Sequence, residues 1–295
     1  MKKRFNSTTT TKDNLYAYFF LMPVTVIVTW LMAVPIIKNF IASFSSKIGT
    51  HTGLANYAII LNNNHFFQNV MSSIVYVICS LILIIPTGLL AAHLITDNSK
   101  FVRILRPIYL ISWIIPPICS SIIFRTMFNE YGFVTYILRM IFPGKQVVLL
   151  VDPTLAMLVL IVHVFWRALP FAMLFFAAGL TTIPNALYES FTLDGATRWQ
   201  QFIYLTMPLL MPHMFMVSLM ITNGLLQEAE SFYAITGGGP GRATEPIALR
   251  VFNNTFITFD MASASILGVV MLVIACVFIF LYGRIMGSME EDIYE

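Results

Sequence analysis

From Val70 to Ile95, and again from Leu209 to Leu226, no Asp, Glu, Lys or Arg interrupts the chain. Runs of about 20 apolar residues cross a hydrocarbon core of roughly 30 Å when helical. Lipid offers no partner to a free backbone N–H or C=O, so a spanning chain forms helices or a closed barrel. The runs are continuous rather than alternating, which selects helices. With 58% hydrophobic and 11% charged residues, a soluble globular domain is excluded. The sequence therefore predicts an all-α polytopic membrane protein.

Six spans are expected: Tyr16 to Ile37, Val70 to Ile95, a third ending near Met127, Thr154 to Leu180, Leu209 to Leu226, and Ala264 to Met286. Pro23 and Pro35 are tolerable inside a bundle, and Pro116-Pro117 should kink the third span. The stretches Lys38 to Asn69 and Phe128 to Pro153 read as loops, the second marked by Gly132, Pro143-Gly144 and Asp152-Pro153. Residues 1–15 read as a cytoplasmic tail without a small-residue cleavage site. No tandem repeat or soluble domain is visible, so residues 1–295 read as one membrane domain.

Six spans place both termini on one side. Lys2, Lys3, Arg4, Lys12, Lys100, Arg103, Arg106, Arg198 and Arg284 fall on that side. Lys38, Lys47, Arg139, Lys145, Arg242 and Arg250 fall opposite, over longer loops. Positive residues concentrate inside, so both termini are expected to be cytoplasmic in a bacterial cell membrane. The net charge of +3 is topological rather than a nucleic-acid footprint. Cys79, Cys119 and Cys276 lie in separate apolar segments with no metal or disulfide spacing, and are expected to be buried free thiols.

One polar island stands between two apolar runs, Pro184 to Pro208, PNALYESFTLDGATRWQQFIYLTMP. Pro184 suits the first turn of a helix, and Leu187 and Phe191 share a face that Glu189 leaves. Asp194-Gly195 should end that helix. Thr197 with Gln200 matches a capping box opening a second short helix, lined by Trp199, Phe202 and Leu205 and stopped by Pro208.

Leu187-Tyr188-Glu189-Ser190-Phe191, then Asp194-Gly195-Ala196 and the later Pro208, resembles the EAA loop of binding-protein-dependent ABC importer permeases. Two alanines usually follow the glutamate; Ser190 and Phe191 depart from that pattern. Thr236-Gly237-Gly238-Gly239-Pro240-Gly241 with Thr244-Glu245 resembles a segment frequent before the last span of sugar-type permeases. Trp166-Arg167 with Pro170-Phe171 is similar to the same subgroup, which includes maltose and glycerol-phosphate permeases. These resemblances cover Val164 to Gly268. About residues 70–286 would form the core permease region and 184–208 its coupling loop.

The resemblance implies that Glu189, Ser190, Asp194, Gly195 and Ala196 couple the chain to an ATPase, and that no catalytic residue or cofactor belongs to this chain. ATP and Mg would sit on two partner ATPase subunits. Gly144-Lys145-Gln146 fails the P-loop pattern, and the Gly237 run fails G-x-G-x-x-G at Arg242. A second, non-identical permease and an extracellular binding protein would complete the importer, with lipid around it. The implied cargo is a sugar or oligosaccharide; a phosphate ester such as glycerol phosphate is the alternative.

Polar groups within spans are candidate pathway residues. Asn223, Gln227 and Glu230 fall at i, i+4 and i+7, and amides suit hydroxyl-rich solutes as well as interhelical hydrogen bonds. Trp166 is a candidate stacking platform. His163 reads as a packing histidine, Arg167 as paired inside the bundle or snorkelling, and Arg125 as an interface anchor. Two other classes compete. An intramembrane enzyme needs clustered acidic, His or Ser/Lys groups, and only scattered ones occur. An ion-coupled carrier calls for inverted repeats or carboxylates deep in the spans, and none stands out.

Overall fold

The long apolar runs fold as helices throughout the described residues of the computed structural model, which are 11–45, 52–95, 107, 109–143 and 148–294. Residues 2–4, Lys47, the basic loop of Lys100, Arg103 and Arg106, and Gly144-Lys145-Gln146 lie outside them. The order is α1 Thr11–Ser45, α2 Leu54–Leu61, α3 Asn64–Ile95, α4 Pro117–Phe128, α5 Phe133–Ile141 and α6 Pro153–Thr181. It continues with α7 Asn185–Leu193, α8 Arg198–Gln201, α9 Met207–Leu226, α10 Glu230–Ile235, α11 Ile247–Phe256 and α12 Met261–Tyr294.

Five helical stretches are long and apolar enough to cross a membrane: Tyr18–Ser45, Asn64–Ile95, Pro153–Thr181, Arg198–Leu226 and Met261–Gly287. The expected third span is not among these five, because it is interrupted. Residues 109–114 are helical, the chain is extended at Pro116 (φ −54°, ψ 137°), and α4 starts at Pro117. Two consecutive prolines remove two N–H donors, so the result is a break rather than the expected kink.

Several helices exceed their expected ends. α1 includes Thr11, within the expected tail, and runs to Ser45 through Pro23 and Pro35. The expected loop after Lys38 therefore contains the end of α1, the short α2 and the start of α3. The expected loop from Phe128 to Pro153 contains α5. Polar residues at these ends continue the helical ladder because helices need no apolar side chain to extend beyond the hydrocarbon.

The core is the packing of α3 on α6, with α9 laid across both. Tyr76, Ile84, Leu160, Met173, Phe176 and Leu210 are completely enclosed there. Small residues let the backbones approach. A Cβ on Gly88 would lie 2.8 Å from the Ala172 Cβ, and one on Gly179 would lie 2.9 Å from the His213 ring. Helix α1 leans on α12, where Asn39 Nδ2 donates to the Ser265 carbonyl at 3.4 Å beside Gly268. Cys79 is half-buried, but Cys119 and Cys276 are exposed on this chain. The expectation of buried thiols fails for these two, which lie on helix faces that this chain leaves open, Cys276 along a cleft.

Candidate functional site

The polar island folds as two short helices around a fixed turn. Pro184 takes the N-cap position of α7 (φ −62°, ψ 133°), one place earlier than expected. Asp194 ends α7, and Gly195 follows at φ +81°, a left-handed conformation that suits glycine. Gly195 N–H donates to Thr192 O at 3.1 Å and Ala196 N–H to Phe191 O at 2.9 Å. That pair of bonds is the Schellman arrangement, which satisfies carbonyls left over at a helix end. The Asp-Gly-Ala triplet thus has a geometric reason.

The capping box opening α8 is present in both directions between Thr197 and Gln200. Gln201 Nε2 reaches back to Thr192 Oγ1 at 2.9 Å, and Tyr188 Oη lies 3.0 Å from Thr206 Oγ1. These bonds clamp α7 onto the next helix. Pro208 does not stop that helix. Residues Phe202–Thr206 form a π turn, with Met207 N–H bonded to Phe202 O, and α9 carries Pro208 in its first turn. The wider turn relieves the clash between a proline ring and the preceding carbonyl.

Glu189, Ser190, Asp194 and Gly195 are all exposed, Ala196 is half-buried, and neither carboxylate has an ion-pair partner among the described residues. Leu205 turns inward and Phe202 is half-buried, but Trp199 is 69% exposed and stacks on Phe202 at 5.7 Å. Leu193, at the end of α7, is 88% exposed. This two-helix island, a hook, therefore shows uncovered apolar side chains and two acids without ion-pair partners among the described residues.

The pathway candidates are only partly brought together. Asn223 and Gln227 join, with Gln227 Nε2 donating to Asn223 Oδ1 at 2.9 Å. Both line an open cleft of about 620 Å³ between α1, α9 and α12, which Asn39 also lines. Glu230 does not share their face: α9 ends at Leu226 with Gln227 as its cap, and Glu230 starts α10. Trp166 lies elsewhere, tilted against Phe124 at 5.6 Å.

Arg167 pairs with Glu228, a residue that sequence reasoning passed over. Glu228 lies just beyond the end of the fifth apolar run, so hydropathy alone gives it no mark. His163 is enclosed, its Nε2 2.9 Å from Ser120 Oγ and its ring edge-on to Phe124, as a packing histidine should be. Arg125 Nη1 reaches the Ala234 carbonyl at 3.5 Å, so it ties α4 to α10 as well as standing at a span end.

The glycine loop is an internally tied fold. Thr236 and Thr244 hydroxyls lie 2.8 Å apart, and Thr244 Oγ1 donates to Gly239 O at 2.6 Å. Glu245, almost fully buried, accepts from Asn253 at 3.2 Å and faces Arg250 at 3.5 Å and Arg242 at 3.9 Å. Asn69 Nδ2 donates to the Glu245 carbonyl at 2.7 Å, and Ser72 Oγ to Ala243 O at 2.8 Å. A row of polar residues on α3, unremarked in the sequence, thus seats the loop. No cluster of metal-binding side chains occurs among the described residues.

A bundle of long apolar helices carrying a clamped hook between two of them defines a multi-pass membrane protein. Residues 84–290 match the family model described as "Binding-protein-dependent transport system inner membrane component", and the chain belongs to that family. It is therefore an ABC importer permease, a translocation component that works with other ABC subunits rather than an enzyme.

Among relatives, the trehalose/maltose transport system permease protein MalF of Thermococcus litoralis is 29% identical over 281 residues, covering 93% of this chain and 94% of that one. The sulfoquinovosyl glycerol permease protein SmoG of Agrobacterium fabrum is 28% identical, covering 94% of this chain and 92% of that one. The sn-glycerol-3-phosphate permease protein UgpA of the same organism is 29% identical, covering 75% and 76%. A chain of the bacterial alginate ABC transporter, solved in complex with an alginate pentasaccharide-bound periplasmic protein, superposes with a TM-score of 0.79 at 20% identity. That match covers 92% of this chain and 94% of that one, and it shows the fold.

Proposed function

We propose that this chain is one half of the translocation pathway of an ATP-driven importer of a sugar or oligosaccharide. An extracellular binding protein delivers the solute, a second, non-identical permease completes the pathway, and two ATPase subunits carry the ATP and Mg. One membrane domain of six crossings, counting the helix broken at Pro116, would put both termini and the hook on one side, and the basic residues gathered there favour the cytoplasm. The hook carries this reading: a Schellman turn and a capping box hold Glu189 and Asp194 outward beside uncovered Leu193 and Trp199. ATP-driven closure of the ATPases would draw such hooks together and reopen the bundle to the other side.

The cleft beside Asn223 and Gln227 supports a hydroxylated solute, because an amide both donates and accepts hydrogen bonds. The names of MalF and SmoG point the same way. UgpA keeps a phosphate ester as the second reading. Detergent co-purification tests the coupling role. An ATPase co-elutes with the wild-type chain and is lost with Glu189→Lys and with Gly195→Pro, while each variant remains in the membrane fraction. A wild-type chain that purifies alone and moves solute without ATP would overturn the proposal in favour of an ion-coupled carrier.

A further inference from the structure

Arg167 and Glu228 are the two members of a buried ion pair between the middle of α6 and the link that joins α9 to α10. Their side chains are 19% and 9% exposed. Glu228 has a second bond, accepting from the Ser231 hydroxyl in the first turn of α10. One carboxylate therefore fixes both the end of α9 and the start of α10. Gln227, its neighbour in sequence, caps α9 and turns outward into the cleft, where it holds Asn223. Nearby, Arg167 Nε and Tyr76 Oη are buried without partners among the described residues, and Thr222 of α9 lies 3.1 Å from the Tyr282 hydroxyl of α12.

We propose that Arg167 and Glu228 are positioning residues, which set the outward amides Asn223 and Gln227 for solute without touching solute themselves. This rests on reading the cleft as part of the solute pathway. Thr222 on Tyr282 and the buried Leu225 and Leu226 hold the last turn of α9, but Gln227 and the link after it rest on the pair, so once the pair is lost they can shift. An uncompensated charge left in the bundle drives that change, because it seeks water. Restoring an ion pair of either polarity removes the drive, whereas removal of one partner maintains it.

The test uses the assembled transporter in proteoliposomes, with Cys79, Cys119 and Cys276 replaced. Cysteines placed at Asn39 and Gln227, two residues lining the same cleft, report its geometry through a bifunctional thiol reagent. Glu228→Gln and Arg167→Met are expected to lower cross-linking, and the swapped pair R167E/E228R to restore it. In chains without the added cysteines, radiolabelled maltose, trehalose, lactose and sn-glycerol 3-phosphate serve as solute probes. For a probe that the wild type moves, both single variants should raise the apparent KM about tenfold, the equivalent of one or two hydrogen bonds. Vmax should stay within about twofold, and the swapped pair should restore KM.

Cross-linking and KM that both ignore the single variants, in transporters that assemble, overturn the proposal. So does a swapped pair that assembles but restores neither. If cross-linking responds while N223A/Q227A leaves KM unchanged, the pathway reading has failed and the proposed link to solute falls with it. If N223A/Q227A raises KM but the single variants do not, the pathway reading stands and the positioning role is lost. Should none of the four probes move, the thiol measurement alone decides whether the pair positions the amides.

Discussion

Glu245 shows how much one side chain can hold in place. Its carboxylate takes Asn253, Arg250, Arg242 and the Asn69 amide of α3, which also donates to its carbonyl. Glu245→Ala leaves Asn69 its carbonyl but removes its second acceptor and strips Arg250 and Asn253 of theirs. Breaking a buried pair from one side costs about 3–5 kcal/mol. The lower end applies here, since the Arg250 side chain is 24% exposed. Glu245→Gln keeps the hydrogen bond to Asn253 and should lose less. Chemical unfolding in detergent, followed by tryptophan fluorescence, should rank wild type above Gln above Ala; an Ala variant as stable as wild type would sink the argument. The sequence marks Glu245 only through a resembling motif, and Glu228 not at all. Their partners lie far off in the chain: Asn69 is 176 residues from Glu245, and Arg167 is 61 from Glu228. Local chemistry was readable. Gly195 after Asp194, and Thr197 before Gln200, needed only their neighbours.

Helix ends divide along the same line. Asp152-Pro153 reads as a turn in sequence and serves as the N-cap of α6, with Asp152 Oδ1 accepting from Thr154 and Leu155 N–H, both at 2.9 Å. Asp152→Ala should cost about 1 kcal/mol, since two first-turn donors lose their partner. Asp152→Asn, still an acceptor, should retain most of that. A thermal midpoint that falls equally for both variants would point to charge rather than capping. Apolar runs gave every long helix and the stops at Ile95 and Leu226. They missed the start of the second-span helix and the ends of the first and last, because helices continue past the hydrocarbon on polar residues. Prolines were ambiguous for a related reason. Pro23, Pro35, Pro170 and Pro212 all sit inside helices, Pro208 follows a π turn, and Pro116 breaks its helix. Only Pro116 is followed directly by a second proline. The face shared by Asn223, Gln227 and Glu230 also failed at a helix end, since three periodic positions assume a helix that stops before the third.

The broken helix decides the topology of the whole chain. If residues 109–128 cross the membrane, the island lies on the same side as the loop after α3; if they do not, the two lie on opposite sides. A break at membrane depth is tolerable only when its backbone groups find partners. Here Pro116 and Pro117 have no N–H to satisfy, and Cys119 and Ser120 N–H both donate to Pro116 O, at 3.0 and 3.2 Å. Ser120 and Ser121 hydroxyls take the Pro117 carbonyl at 2.9 and 2.7 Å. The Cys119 and Ser120 N–H groups and the Pro116 and Pro117 carbonyls are thus satisfied within the break, and a crossing is the expectation. A cysteine-free chain with single cysteines at Ser99, Glu130, Asp194 or Gly241 checks it with a membrane-impermeant maleimide. Right-side-out vesicles should label positions 130 and 241, and inside-out vesicles positions 99 and 194. Labelling of 99 and 130 from one side would mean that the broken helix turns back. The hook would then face away from the compartment that holds the loop at 99. Because basic residues gather in that loop, such a result would separate the docking surface from the ATP side, and the coupling role of Glu189 and Asp194 would fail with it.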